Sequence, residues 1–88
     1  LFVRKNGENK SKIDPTVDGD FFCKKVSENV RKLRIKLELS QEQLGNNMDV
    51  SKQFIQKIEN GQRNISIKTL LKLAIHLDTT PSELINVL

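Results

Sequence analysis

Tryptophan and tyrosine are absent, and four phenylalanines are the only aromatic residues in a chain of 88. With hydrophobic residues at 36%, the core they can build is lean. A chain of this length has room for one small domain, burying about 60–65% of its unfolded surface. A single cysteine, Cys23, excludes an internal disulfide and any zinc site made of cysteine pairs, and a reducing, cytoplasmic setting is expected. Cys23 has no acidic, histidine or cysteine neighbour at ligand spacing and reads as a passive helix residue. The one histidine, His76, is far from it in sequence, so no acid–base constellation forms around either. No enzyme activity, metal or cofactor is therefore expected. No apolar run approaches the roughly 18 residues of a membrane span, and no signal-peptide pattern opens the chain. Acidic residues are outnumbered 11 to 15 by lysine and arginine, which leaves a net charge of +4 and a pI near 9.4. That balance favours a polyanionic partner without the charge density of a histone-like tail.

What is present is concentrated between Leu39 and Gly61, where LSQEQLGNNMDVSKQFIQKIENG reads as two short helices joined by a tight turn. Ser40 is a good N-cap, Gln43 completes a capping box, and Leu39 with Leu44 forms a hydrophobic staple. The same grammar recurs eleven residues on with Ser51 as cap and Val50 with Ile55 as staple. Between the caps, Asn46, Asn47 and Asp49 favour turns and tolerate a left-handed backbone, so the chain is expected to turn sharply near Asp49. Gly45 costs about 1 kcal/mol against alanine inside a helix, which points to close approach of a neighbouring backbone.

On a helical wheel, Phe54, Ile55 and Ile58 of the second helix face the core, with Glu59 at their border. The opposite arc carries Lys52, Gln53, Gln56, Lys57 and Asn60 and no carboxylate. Lysine can donate to guanine O6 and N7, and glutamine or asparagine can pair bidentately with adenine. Any soluble helix exposes polar residues. What favours a nucleic-acid reading here is the combination of two capped short helices, a tight turn and an amide-rich face.

Ser40-Gln41, Leu44-Gly45, Val50-Ser51, Ile55 and Ile58-Glu59-Asn60-Gly61 resemble the helix-turn-helix of the family that includes lambdoid phage repressors, Cro proteins and many bacterial regulators. The likeness runs from about Val26 to Ile85. It implies an all-α, compact five-helix lambda-repressor-like DNA-binding domain. Its helices are expected near 21–37, 41–48, 52–60, 67–77 and 81–87, after an amino-terminal arm over 1–20. By that resemblance Lys52, Gln53, Gln56 and Lys57 read base edges of double-stranded DNA. Gln41, Ser51, Asn60 and Arg63 hold the backbone, with Gln41 also buttressing the reading helix. Arg34 and Glu59 form a structural ion pair. Relatives often have proline where Ile65 stands, which leaves the path of the Gln62–Asn64 loop open.

The flanking segments read more simply. Residues 1–20 lack a sustained period and contain Asn6-Gly7, Asp14-Pro15 and Asp18-Gly19, all breaker signals. Arg4, Lys5, Lys10 and Lys12 make this arm basic, suited to phosphates or a minor groove, although an extension or a strand for another chain fits as well. Phe22, Val26, Val30, Leu33 and Leu37 form the apolar stripe of the first helix, with Asp20 as its cap. Ser66 caps a fourth helix whose apolar positions Ile67, Leu70, Leu71, Leu73, Ala74, Ile75 and Leu77 mark it as the core helix. Thr80, Pro81 and Glu83 open a fifth. There Leu84, Ile85, Val87 and Leu88 give apolar surface that either closes the core or joins two copies in a homodimer. A transcriptional regulator, of repressor type and bound to a pseudo-palindrome, is the expected function. A protein-interaction module of the same fold, antitoxin-like or coactivator-like, is the second reading.

Overall fold

The computed structural model describes residues 19–62 and 64–86. Five helices follow one another: α1 (Gly19–Lys36), α2 (Gln41–Met48), α3 (Lys52–Glu59), α4 (Ile67–His76) and α5 (Pro81–Leu84). The arm residues 1–18, Arg63, Val87 and Leu88 lie outside the described residues.

Each of the four later helices starts on a hydroxyl cap. Ser40, Ser51, Ser66 and Thr80 accept from the backbone N–H three residues on, and Ser40 with Gln43 completes a reciprocal capping box. These bonds satisfy donors that a helix leaves orphaned, worth about 1 kcal/mol each. The carboxyl ends of α1 to α4 share a device too. The chain swings into the left-handed region at Glu38 (φ 60°), Asp49 (φ 60°), Gly61 (φ 69°) and Asp78 (φ 56°). In each case paired backbone bonds close the last turn, as where Gln62 N–H donates to Lys57 at 3.0 Å and Gly61 N–H to Ile58 at 3.1 Å. Three of these four positions carry a carboxylate rather than glycine. They therefore hold residual strain beside the negative end of a helix dipole.

One core forms where the helices meet. Val30, Leu44, Ile55, Ile58, Leu73 and Leu84 are fully buried there, with Val26, Met48, Ala74 and Leu77 nearly so. The staple residues Leu39, Val50, Ile65 and Leu70 pack against it, half-buried. Gly45 explains how α2 and α3 approach: a Cβ there would lie 2.9 Å from the carbonyl oxygen of Val50 and 3.2 Å from that of Ser51.

Three expectations require correction. Asp20 lies inside α1 and does not precede it, since the helix already includes Gly19. Phe22 and Leu37 are exposed, so the buried stripe of α1 is confined to Val26 and Val30 with Leu33 packed alongside. On α4, Leu73, Ala74 and Leu77 are buried, but Ile67, Leu71 and Ile75 are 78%, 47% and 73% exposed. A helix can turn only one side to a core this small, whatever its composition.

Candidate nucleic-acid interface

The α2–turn–α3 unit is built on short-range bonds. Asp49 makes the turn, with its N–H donating to Asn46 at 3.2 Å and Val50 N–H donating to Gly45 at 2.8 Å. Two residues later Ser51 Oγ accepts from Phe54 N–H at 3.0 Å and starts α3. The loop between the helices is therefore as short as a left-handed residue and a cap allow.

Helix α3 anchors its inner side with Ile55 and Ile58, both fully buried, and Phe54 packs against the core at its edge. Lys52, Gln53, Lys57 and Asn60 are exposed on its outer side, and Gln56 is half-buried. The only carboxylate of α3, Glu59, is turned inward. Its Oε2 lies 2.6 Å from Arg34 Nε, and its Oε1 accepts from Arg34 Nη2 and Gln41 Nε2, each at 3.1 Å. Only 2% of the Glu59 side chain is exposed, and 12% of Arg34. Arg34 also donates through Nη1 to the carbonyl of Leu39 at 2.7 Å. One guanidinium thus ties α1 to the linker before α2 and to the last turn of α3. The consequence is electrostatic as well as mechanical, because the outer surface of α3 retains its positive charge undiminished.

Gln41, at the first position of α2, spends one amide N–H on Glu59 and thereby braces the end of α3. Its second N–H can still donate. Ser51 Oγ serves as an acceptor in its cap, so its own proton is available to an anion. Both residues stand at helix amino termini, where the backbone N–H groups and the dipole favour negative charge. Leu84 is fully buried and closes the core, which removes it from the candidate dimer surface; Ile85 is 43% exposed.

Two residues with structural roles escaped the sequence reading. Ser27, 3% exposed, places its hydroxyl 2.5 Å from the carbonyl oxygen of Ile58 and 2.7 Å from that of Cys23. It locks α1 against the end of α3. Asn29 donates through Nδ2 to the carbonyls of Leu84 at 2.8 Å and Asn86 at 3.1 Å, closing the end of α5. Their only signal in sequence is that they are polar residues bordering the Val26–Val30 stripe. Among the described residues no group of three or more His, Cys, Asp or Glu is placed to hold a metal ion. No helix is long and apolar enough to cross a membrane.

Residues 30–84 match the helix-turn-helix family HTH_3. The chain belongs to that family. It is 41% identical over 56 residues to the control protein C.MunI of a Mycoplasma species, covering 62% of this chain and 76% of that protein. Among solved structures, the restriction-modification controller protein C.AhdI from Aeromonas hydrophila superposes with a TM-score of 0.67 at 39% identity, over 70% of this chain and 94% of that one. The hypothetical transcription factor NHTF from Neisseria shares the fold, with a TM-score of 0.73 at 22% identity over 78% of this chain and 79% of that one. This helix-turn-helix protein is accordingly a DNA-binding regulator, and α3 occupies the place of the reading helix.

Proposed function

We propose that this helix-turn-helix protein is a controller-type transcriptional regulator acting on the genes of a restriction-modification system. It binds a pseudo-palindromic operator as a homodimer and represses from it. The likeness to two control proteins, each near 40% identity, supports the biological setting. The observation that carries the mechanism is the outer face of α3. That face is acid-free and exposed, and it is braced at its far end by Arg34 and Gln41 through Glu59.

In this mechanism α3 enters the major groove. Lys52, Gln53, Gln56 and Lys57 meet base edges, lysine donating to guanine and the amides pairing with adenine. Gln41 and Ser51 hold phosphate oxygens through their free donors at the starts of α2 and α3, and Asn60 and Arg63 hold the backbone beyond the end of α3. These sequence-independent contacts supply much of the affinity and make it fall with salt. Two copies meet through the end of α5, with Ile85, Val87 and Leu88, and address half-sites about one helical turn, roughly 34 Å, apart.

Selection of bound duplexes from a random pool, followed by sequencing, tests the reading. The expected product is an inverted repeat. Gln53→Ala then relaxes one base position per half-site at a cost of about 1–3 kcal/mol, while Arg63→Ala weakens all sequences alike. Equal loss over every sequence for Gln53→Ala would refute its role as a reader, and failure to enrich any duplex would refute the proposal as a whole.

A further inference from the structure

Helix α4 has a second face that neither the core nor the proposed DNA contacts use. Ile67, Leu71 and Ile75 recur every fourth residue along it, at 78%, 47% and 73% exposure. At about 100° per residue they form one continuous strip, bordered on the solvent side by Lys68 and Lys72 and on the other by the buried Ala74. At these exposures the three side chains leave on the order of 300–400 Å² of apolar surface open, the size of the largest patch on a typical monomer, where such patches mark interaction sites. The helix contains no carboxylate, and neither lysine has an ion-pair partner among the described residues. Burial in this fold is otherwise economical, so a strip of branched side chains left facing water calls for an occupant.

The charges decide between occupants. A second copy of this chain, related by a twofold axis, would lay the face on itself. Lys68 and Lys72 would then stand opposite the same two lysines, a like-charge juxtaposition that opposes the apolar gain. An amphipathic helix with apolar residues at helical spacing and glutamates or aspartates along one flank satisfies both halves of the surface at once. We propose that the Ile67–Leu71–Ile75 face of α4 docks an acidic amphipathic helix of a partner protein. The contact leaves the α3 face free, so the regulator can hold DNA and the partner together. The area is that of a transient interface rather than an obligate one.

The test uses the full chain and two labelled synthetic helical peptides. Both carry leucine at helical spacing, one with glutamate flanks and the other with lysine flanks, and binding is read by fluorescence anisotropy. The wild type is expected to bind the glutamate peptide and not the lysine peptide. Leu71→Ser or Ile75→Ser is expected to weaken that binding by at least about tenfold, because each removes a side chain that the contact buries. Lys68→Glu with Lys72→Glu is expected to exchange the preference, binding the lysine peptide instead, a rescue that nonspecific attraction to a basic protein does not produce. All these variants should retain the thermal midpoint and the DNA affinity of the wild type, which separates this proposal from the DNA-binding one. Four results would overturn it: no binding of the glutamate peptide; equal loss of peptide binding on replacing Lys52 and Lys57 of α3 by serine; a self-association in sedimentation that Leu71→Ser abolishes, which assigns the face to a second copy; or a fall of the thermal midpoint by about 10 °C or more for Ile75→Ser, which means that the chain itself covers the strip.

Discussion

Removing either partner of the Arg34–Glu59 pair should cost much more than removing both. In Glu59→Ala the guanidinium loses the acceptor for its Nε and Nη2 donors and keeps only the Leu39 carbonyl, at 12% exposure. A charge stranded in a site that dry costs about 3–5 kcal/mol, and the small solvent access of Arg34 puts this variant near 3. Arg34→Ala is worse. It leaves a carboxylate at 2% exposure with only the Gln41 amide beside it, and also frees the carbonyl of Leu39, so its loss should approach about 5 kcal/mol. Arg34→Met combined with Glu59→Leu removes both charges and refills the space, and should be less destabilising than either single change. A small domain has stability near the low end of about 5–15 kcal/mol. Since 1 kcal/mol moves the midpoint of such a domain by about 4–8 °C, Glu59→Ala should lower it by roughly 12–24 °C. Thermal and urea unfolding of the wild type, the two single variants and the pair close the cycle. Singles within about 1 kcal/mol of the wild type would mean that water solvates the pair after all, and strict additivity in the double variant would mean that the two side chains do not interact.

Three further outcomes follow from particular contacts. Glu38→Gly relieves a left-handed residue that has neither glycine's freedom nor the short side chain of Asp49 and Asp78, and should stabilise by about 0.5–1 kcal/mol, read as a higher urea midpoint at unchanged slope. Gly45→Leu drives a side chain into the Val50 and Ser51 carbonyls and should destabilise by about 3 kcal/mol or more; a midpoint equal to wild type would show that α2 and α3 can separate without penalty. Asn29→Ala leaves two carbonyls at the end of α5 without their donor, costing about 1–2 kcal/mol, with faster amide exchange expected at Ile85 and Asn86 and none of that acceleration in α2 or α3.

The elements that were legible in the sequence are those whose causes are local. A serine or threonine cap bonds three residues ahead, a staple spans one turn, and Asp49 turns left-handed on its own short side chain. Ser40, Ser51, Ser66, Thr80 and the turn could therefore be read without knowing what they pack against. The core-facing side of α3 was legible for the same reason, because Ile55 and Ile58 follow one helical period. The Arg34–Glu59 pair was of another kind. Twenty-five residues separate its members, and family resemblance suggested it where periodicity could not.

What the chain order alone determined is where helices begin, where they end and which residues share a face. Only the folded packing decided which faces are used. It turned α4 so that Leu73 and Leu77 enter the core and Ile67, Leu71 and Ile75 do not, and it buried Leu84 while leaving Ile85 exposed. It also brought Ser27 to the end of α3 and Asn29 to the end of α5. The physical reason is that a core is a finite volume shared by all five helices. How much of each apolar face it accepts depends on its neighbours, and no window of sequence contains that information.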